Sequence, residues 1–302
     1  MSSEFVQGGQ VPFALGPTSR RAFIKTAALG GLGAGFALAC APVLAQAIQT
    51  DFADLDAGEI MFDSGGTAVP AYCARPANVT KKLPIIIVAS EIFGVHEYIA
   101  DVTRRLAKLG YLAIAPEFFT RAGEPSELGT VDEIMTKIVA RTPDQQVLSD
   151  IEAALRWAGA HNGDLTRVGI NGFCWGGRIT WLACQKLSSI HAGVAWYGRL
   201  LNAKNATTPE QPVELAQQTR APVLGLYGGQ DEGIPLADIE QMKAALASPQ
   251  ATAAARLSQF EIYPEAPHAF HADYRQSYRE ALAKDGWRRA LDWFKTHGVP
   301  VT

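Results

Sequence analysis

The chain has no block of basic residues. Its 27 Lys and Arg are outnumbered by 30 Asp and Glu, for a net charge of -3, so nucleic-acid binding has no electrostatic footing. No segment repeats at a fixed period, which excludes repeat architectures, and no low-complexity domain or internal linker divides the chain. Metal chemistry lacks a ligand set: His268 and His271 stand close together, but no cysteine or carboxylate partners accompany them. Neither a metal nor another cofactor is expected. Cysteine is scarce, at 4 residues, and charged residues make up only 19%. Apolar residues, by contrast, reach 48% of 302 positions, ample material for a core. The length suits one large α/β domain or two small ones, and the absence of an internal linker favours one.

Residues 1–47 read as a targeting segment. Ser19-Arg20-Arg21-Ala22-Phe23-Ile24-Lys25 is similar to a twin-arginine export signal. The Gly- and Ala-rich run from Thr26 to Ala39 that follows is too weakly hydrophobic for a stable membrane span. Ala45-Gln46-Ala47 then offers an A-x-A cleavage site. The expectation is a leader handed to the twin-arginine export machinery and a mature domain, 48–302, in the periplasm. That domain keeps Cys73, Cys174 and Cys184. An odd count leaves at least one free thiol even in an oxidising compartment. Cys73 and Cys184 are candidates for a bridge. No feature of the sequence bears on oligomeric state.

Hydrophobic periodicity lays out the rest. Glu59 to Ser64 and Val69 to Ala74 flank Gly65-Gly66 as a hairpin. Leu83 to Ser90 is an unbroken apolar run expected of a strand buried on both faces. Further strands are predicted at Tyr111–Pro116, Arg167–Asn171, Ala192–Tyr197, Pro222–Tyr227 and Leu257–Tyr263. Helical spacing covers Glu97–Leu109, Val131–Val139, Pro143–Ala158, the segment behind Cys174, Leu236–Ala247 and Tyr274–His297. Gly198 to Ala221 reads as polar loop. Alternating strands and helices imply a mostly parallel sheet with helices on both faces, and ligands bound beyond the carboxyl ends of its strands.

One turn organises this pattern: Gly172-Phe173-Cys174-Trp175-Gly176-Gly177. A strand, a tight glycine turn and a helix form the setting of a nucleophile elbow, here centred on cysteine. A helix starting just after Cys174 aims its free N–H groups and positive dipole end at the sulfur. The window alone fits an inert buried cysteine as well. Two further polar groups follow at strand ends. Asp231 comes after Gly228-Gly229-Gln230, and His268 after the last strand. Nucleophile, acid, histidine is the chain order of α/β-hydrolases. The chemistry needs a base to take the thiol proton and a carboxylate to orient it.

These residues, with Glu91-Ile92-Phe93-Gly94, Trp196-Tyr197-Gly198 and Gly229-Gln230-Asp231, resemble the dienelactone hydrolase family from about Glu59 onward. The resemblance implies an α/β-hydrolase fold and hydrolysis of a small ester or lactone by Cys174, His268 and Asp231. It implies that Glu91 contacts the resting thiol and accepts its proton, and that the Ile92 and Trp175 N–H groups form an oxyanion hole. Tyr197, His96 and His271 are candidates to line the substrate. The pattern departs at one point. The arginine that the family places four residues past the histidine is Ala272 here, leaving Arg121, Arg141, Arg178 and Arg199 as candidate substitutes. The same residues would serve a thioesterase or acyl transferase, and a thiol-based binding or redox protein could keep the fold without turnover.

Overall fold

The computed structural model describes residues 47–301; the twin-arginine motif lies outside them. The strands are β1 (Leu55–Ser64), β2 (Thr67–Pro76), β3 (Leu83–Ala89), β4 (Leu112–Pro116), β5 (Gly163–Phe173), β6 (Ala192–Trp196), β7 (Val223–Gly228) and β8 (Gln259–Tyr263). They form one sheet in the order β1-β2-β4-β3-β5-β6-β7-β8. The β1–β2 hairpin turns on Gly65 and Gly66, both at positive φ, where glycine carries no steric cost. The β2–β4 pair is antiparallel as well. Every other pair in the sheet is parallel.

A parallel sheet must be covered on both faces, and all seven residues of β3 are buried. The covering helices are α1 (Glu97–Lys108), α2 (Val131–Lys137), α3 (Asp144–Ala160), α4 (Trp175–Lys186), α5 (Pro212–Leu215), α6 (Leu236–Leu246), α7 (Ala253–Leu257) and α8 (Glu280–Thr296). Glycines in β5 show which face each covers. A side chain at Gly169 would strike Phe294 of α8, and one at Gly172 would strike Thr180 of α4. Residues three apart on a strand point to opposite faces, so α8 and α4 lie on opposite sides. Tyr98 of α1 packs on Phe173, on the same face as Gly169, which places α1 with α8.

β1 begins at Leu55 rather than Glu59, α7 lies outside the expected helices, and three further elements differ from the sequence expectation. β5 begins at Gly163 rather than Arg167, because Gly163 and Asp164 pair with Leu83 and Pro84 ahead of a register shift. Its polar first half hid this, since Asp164 and Arg167 bond each other. The loop after β6 contains the short α5, opened by a capping box between Gln211 and Glu214. The last helix starts at Glu280, not Tyr274. Residues 269–274 are buried instead, and successive turns hold this segment, from Ala272 N–H to Ala269 O through Arg279 N–H to Phe270 O. The bridge offered for Cys73 and Cys184 is absent. Both thiols are free and buried, and burial pushes Cys73 up to about 12 and raises Cys184 further.

Candidate active site

The carboxyl ends of β3, β5, β6 and β7 deliver Glu91, Cys174, Tyr197 and Asp231, and the loop after β8 adds His268. These strands are neighbours, so residues far apart in sequence meet along one edge of the sheet. Cys174 caps α4 with φ 54° and ψ −114°, a region a non-glycine residue occupies only when its surroundings impose it. The surroundings do so. Cys174 N–H donates to Trp196 O at 3.0 Å, while its carbonyl accepts from Gly177 and Arg178. The flanking glycines are required by space. A Cβ on Gly172 would stand 2.0 Å from Gly176 O, and one on Gly176 would stand 2.1 Å from Ala89 O.

Two other non-glycine residues beside Cys174 share positive φ, Tyr197 at 40° and Ala269 at 59°. Backbone strain thus concentrates where Cys174 and His268 meet. Buried hydrogen bonds hold the frame: Trp196 Nε1 donates to Asn171 Oδ1, Trp181 Nε1 to Tyr227 Oη, and Tyr227 Oη to Gly198 O.

His268 Nδ1 lies 2.6 Å from Asp231 Oδ2, whose other oxygen accepts from Gly233 N–H at 2.9 Å. On its far side His268 bonds Cys174. Burial disfavours its cation, but the bonds to Asp231 and Cys174 outweigh burial and raise its pKa to about 10. Tyr197 stands edge-on to the His268 ring, with centroids 5.1 Å apart. Among the described residues, neither Ile92 nor Trp175 donates its N–H to another backbone group. Trp175 opens α4, where the first amides have no intrahelical acceptor. Both residues pack in a small apolar cluster with Phe119, Ile134 and Ile138 that walls one side of the site.

Glu91 is fully buried, and among the described residues no hydrogen bond joins it to Cys174. Its Oε2 accepts from Tyr274 Oη at 2.6 Å and lies 3.7 Å from His96 Nε2. Its Oε1 accepts no hydrogen bond among the described residues and faces Arg275 Nη1 at 3.8 Å. Burial alone would raise its pKa, but His96, Arg275 and Tyr274 together hold it below the ordinary carboxylate value. Glu91 is therefore an anion fixed in a clamp, which departs from the thiol contact that the resemblance implied.

Of the lining candidates, His96 joins this clamp. His271 does not line the site: it is 3% exposed, bonds Tyr98 Oη through Nδ1 at 2.6 Å and packs against Trp196 and Trp287. Burial, with Arg105 nearby, holds its pKa well below the ordinary histidine value, so it stays neutral.

Three of the four candidate arginines lie elsewhere, while the fourth, Arg199, has its Nη2 beside Gly233, whose N–H bonds Asp231. Arg178 is bidentate to Asp144 at 2.6 and 2.8 Å, and Arg121 is bidentate to Asp150 at 2.8 and 3.0 Å. Arg199 bonds Asn202, and Arg141 is exposed on the turn before α3. A cation beside the site that the sequence did not single out is Arg275, seven residues past His268. Its guanidinium stacks over Phe93 at 5.4 Å and leaves 31% of the side chain open to solvent. The sequence reading missed Tyr274 and Arg275 because both were placed in the closing helix. The available signal was a Tyr-Arg pair in the segment that carries His268.

A mostly parallel eight-stranded sheet covered by helices, with a glycine-flanked elbow at the end of its central strand β5, is the architecture of an α/β-hydrolase. Comparison with known proteins narrows this class. The model of the dienelactone hydrolase family matches residues 69–298. A protein of Methylorubrum extorquens named "Putative carboxymethylenebutenolidase" is 51% identical over 93% of this chain and 94% of its own. One of the same name from Escherichia coli K12 is 47% identical over 87% of this chain and 96% of its own. A crystal structure titled as a putative dienelactone hydrolase from Klebsiella pneumoniae superposes with a TM-score of 0.76 at 50% identity, covering 80% of this chain and 98% of that one. The chain belongs to the dienelactone hydrolase family and is a hydrolase of that family.

Proposed function

We propose that the protein hydrolyses small carboxylic esters or lactones, with Cys174 as nucleophile and His268 and Asp231 completing a triad. The observation that carries this reading is Cys174, strained on its elbow, in contact with a histidine whose other nitrogen is 2.6 Å from a buried carboxylate. Cys174 passes its thiol proton to His268, and its Sγ attacks the acyl carbonyl. The Ile92 and Trp175 amides hold the oxyanion, each worth on the order of 3 kcal/mol in the barrier. His268 gives its proton to the leaving oxygen, then takes one from the water that cleaves the thioester, which restores Cys174.

Arg275 supports a preference for substrates bearing a carboxylate, because it is a partly open cation whose nearby anion, Glu91, lies beyond hydrogen-bond range. The relatives named as carboxymethylenebutenolidases support a lactone. The export motif and A-x-A site support a periplasmic domain, 48–302, released from its leader.

The test is hydrolysis of p-nitrophenyl acetate and a panel of neutral and carboxylate-bearing lactones by wild type and Cys174→Ala. Turnover that disappears in the variant is the expected result, and near-wild-type kcat in the variant would refute the mechanism. In Arg275→Ala, KM should rise at least about tenfold for carboxylate-bearing substrates, the loss of a charge-assisted bond, and change little for neutral ones.

A further inference from the structure

The cleavage signal Ala45-Gln46-Ala47 is a motif that the site leaves unused. The residues that follow it are docked. Thr50 N–H donates to Asp101 Oδ1 at 2.5 Å, and Arg104 Nε donates to Thr50 O at 3.1 Å. The Arg104 guanidinium lies over the Phe52 ring, and Lys108 pairs with Asp51. Ala47 packs against the core, and the Ile48 N–H bonds the Asp273 carboxylate. Asp273 immediately precedes Tyr274, which clamps Glu91, and Arg275. Arg105 bridges Asp101 and Asp273, with both distances 2.5 Å.

This cluster is short of positive charge. Among the described residues, the ion-pair partners of Glu97, Asp101 and Asp273 are Arg104 and Arg105. Asp101 and Asp273 are buried, so neither relies on water to offset its charge. The peptide N–H of Ile48 supplies one donor and no charge. An α-ammonium at the same atom supplies three donors and the missing charge.

We propose that leader removal after Ala47 is an ordering step for the active-site loop: the new Ile48 α-ammonium pairs with Asp273 and fixes the segment that carries Tyr274 and Arg275. The reaction is hydrolysis by a leader peptidase. Water adds across the Ala47–Ile48 bond, Ala47 departs with a carboxylate, and Ile48 keeps the ammonium. Ile48 is 44% exposed, so the bond is within reach of the peptidase. Partial exposure also limits the strength of the new ion pair.

The test uses exported, processed protein. Mass spectrometry should find Ile48 as its first residue. The α-amine, titrated by NMR after isotopic methylation, should have a pKa about one unit above the ordinary value of about 7.7–8.0. The other ionisable groups facing Asp273 are Tyr98, Asp101 and Arg105 on α1 and Tyr278 on its own loop; none of them is an amine, so the signal is unambiguous. Asp273→Asn should return the α-amine to its ordinary value. Processed protein should melt a few degrees above a precursor whose cleavage is blocked by Ala45→Lys, as a gain of about 1 kcal/mol gives 2–4 °C at this size. A mature N-terminus elsewhere, or an unshifted α-amine in the wild type, would overturn the proposal. The titration needs no variant to fold and does not depend on the hydrolase reading.

Discussion

At the scale of single residues, space and charge at the elbow give the sharpest expectations. Gly176→Ala would drive a Cβ to 2.1 Å from Ala89 O. Gly176 lies in the first turn of α4 and the Ala89 carbonyl is backbone at the end of buried β3, so neither can swing aside. The variant should lose several kcal/mol, as overpacking does at its worst, and a thermal melt that matches wild type would contradict the packing described here. His268 adds a pH dependence. Its folded pKa of about 10 lies above the ordinary 6.5, so the stability it contributes is complete below about pH 6.5 and is lost as pH rises towards 10. Melting temperature should fall over that window in the wild type. In His268→Gln the fall should be shallower; an equal slope in both would place the titrating group elsewhere. The elbow and its partners were legible in the sequence because each announces itself locally, through glycine spacing or position after a strand. The Glu91 clamp was not, since Tyr274 lies 183 positions away and nothing in its own neighbourhood marks it as a partner.

At the scale of elements, the sequence and the structure part where polar side chains are used for long-range anchoring rather than for solvation. The closing helix was read six residues too long because Tyr274 to Arg279 has helical composition. Asp273 bonded to Arg105, and Tyr274 to Glu91, draw the segment inward and forbid a helix there. The polar start of β5 was missed for the reverse reason, as strand pairing overrode weak local preference. Arg178 shows the same principle at work between helices. Its buried fork on Asp144 joins the first turn of α4, which carries the elbow, to the first turn of α3. Arg178→Ala leaves a carboxylate without its partner and should cost about 3–5 kcal/mol. That is a drop on the order of 10 °C in melting temperature for a protein of this size. A surface arginine such as Arg288, replaced in parallel, should shift it by less than about 2 °C.

At the scale of the whole molecule, the fold class was legible because βα alternation leaves few topologies open. The order of strands along the sheet was not, because it depends on which pairs meet rather than on any one segment. That order matters for function, since β3, β5, β6 and β7 must be neighbours for Glu91, Cys174, Tyr197 and Asp231 to share one edge. It also bears on cooperativity. One core cluster runs from Ile60 to Val299, and a smaller one of Ile92, Phe119, Ile134, Ile138 and Val139 sits beside the site. The small cluster could in principle open alone. Trp175, however, packs against both clusters and against the Phe118 and Phe119 rings. Opening the small cluster therefore uncovers the residue that starts α4, directly after Cys174. Unfolding in urea should accordingly be a single transition, with the same midpoint by far-UV circular dichroism and by tryptophan fluorescence. Loss of hydrolase activity should follow that midpoint too. A fluorescence and activity transition at lower urea, with circular dichroism unchanged, would show that the wall of the site melts first, and that the sheet and its catalytic edge are separate units.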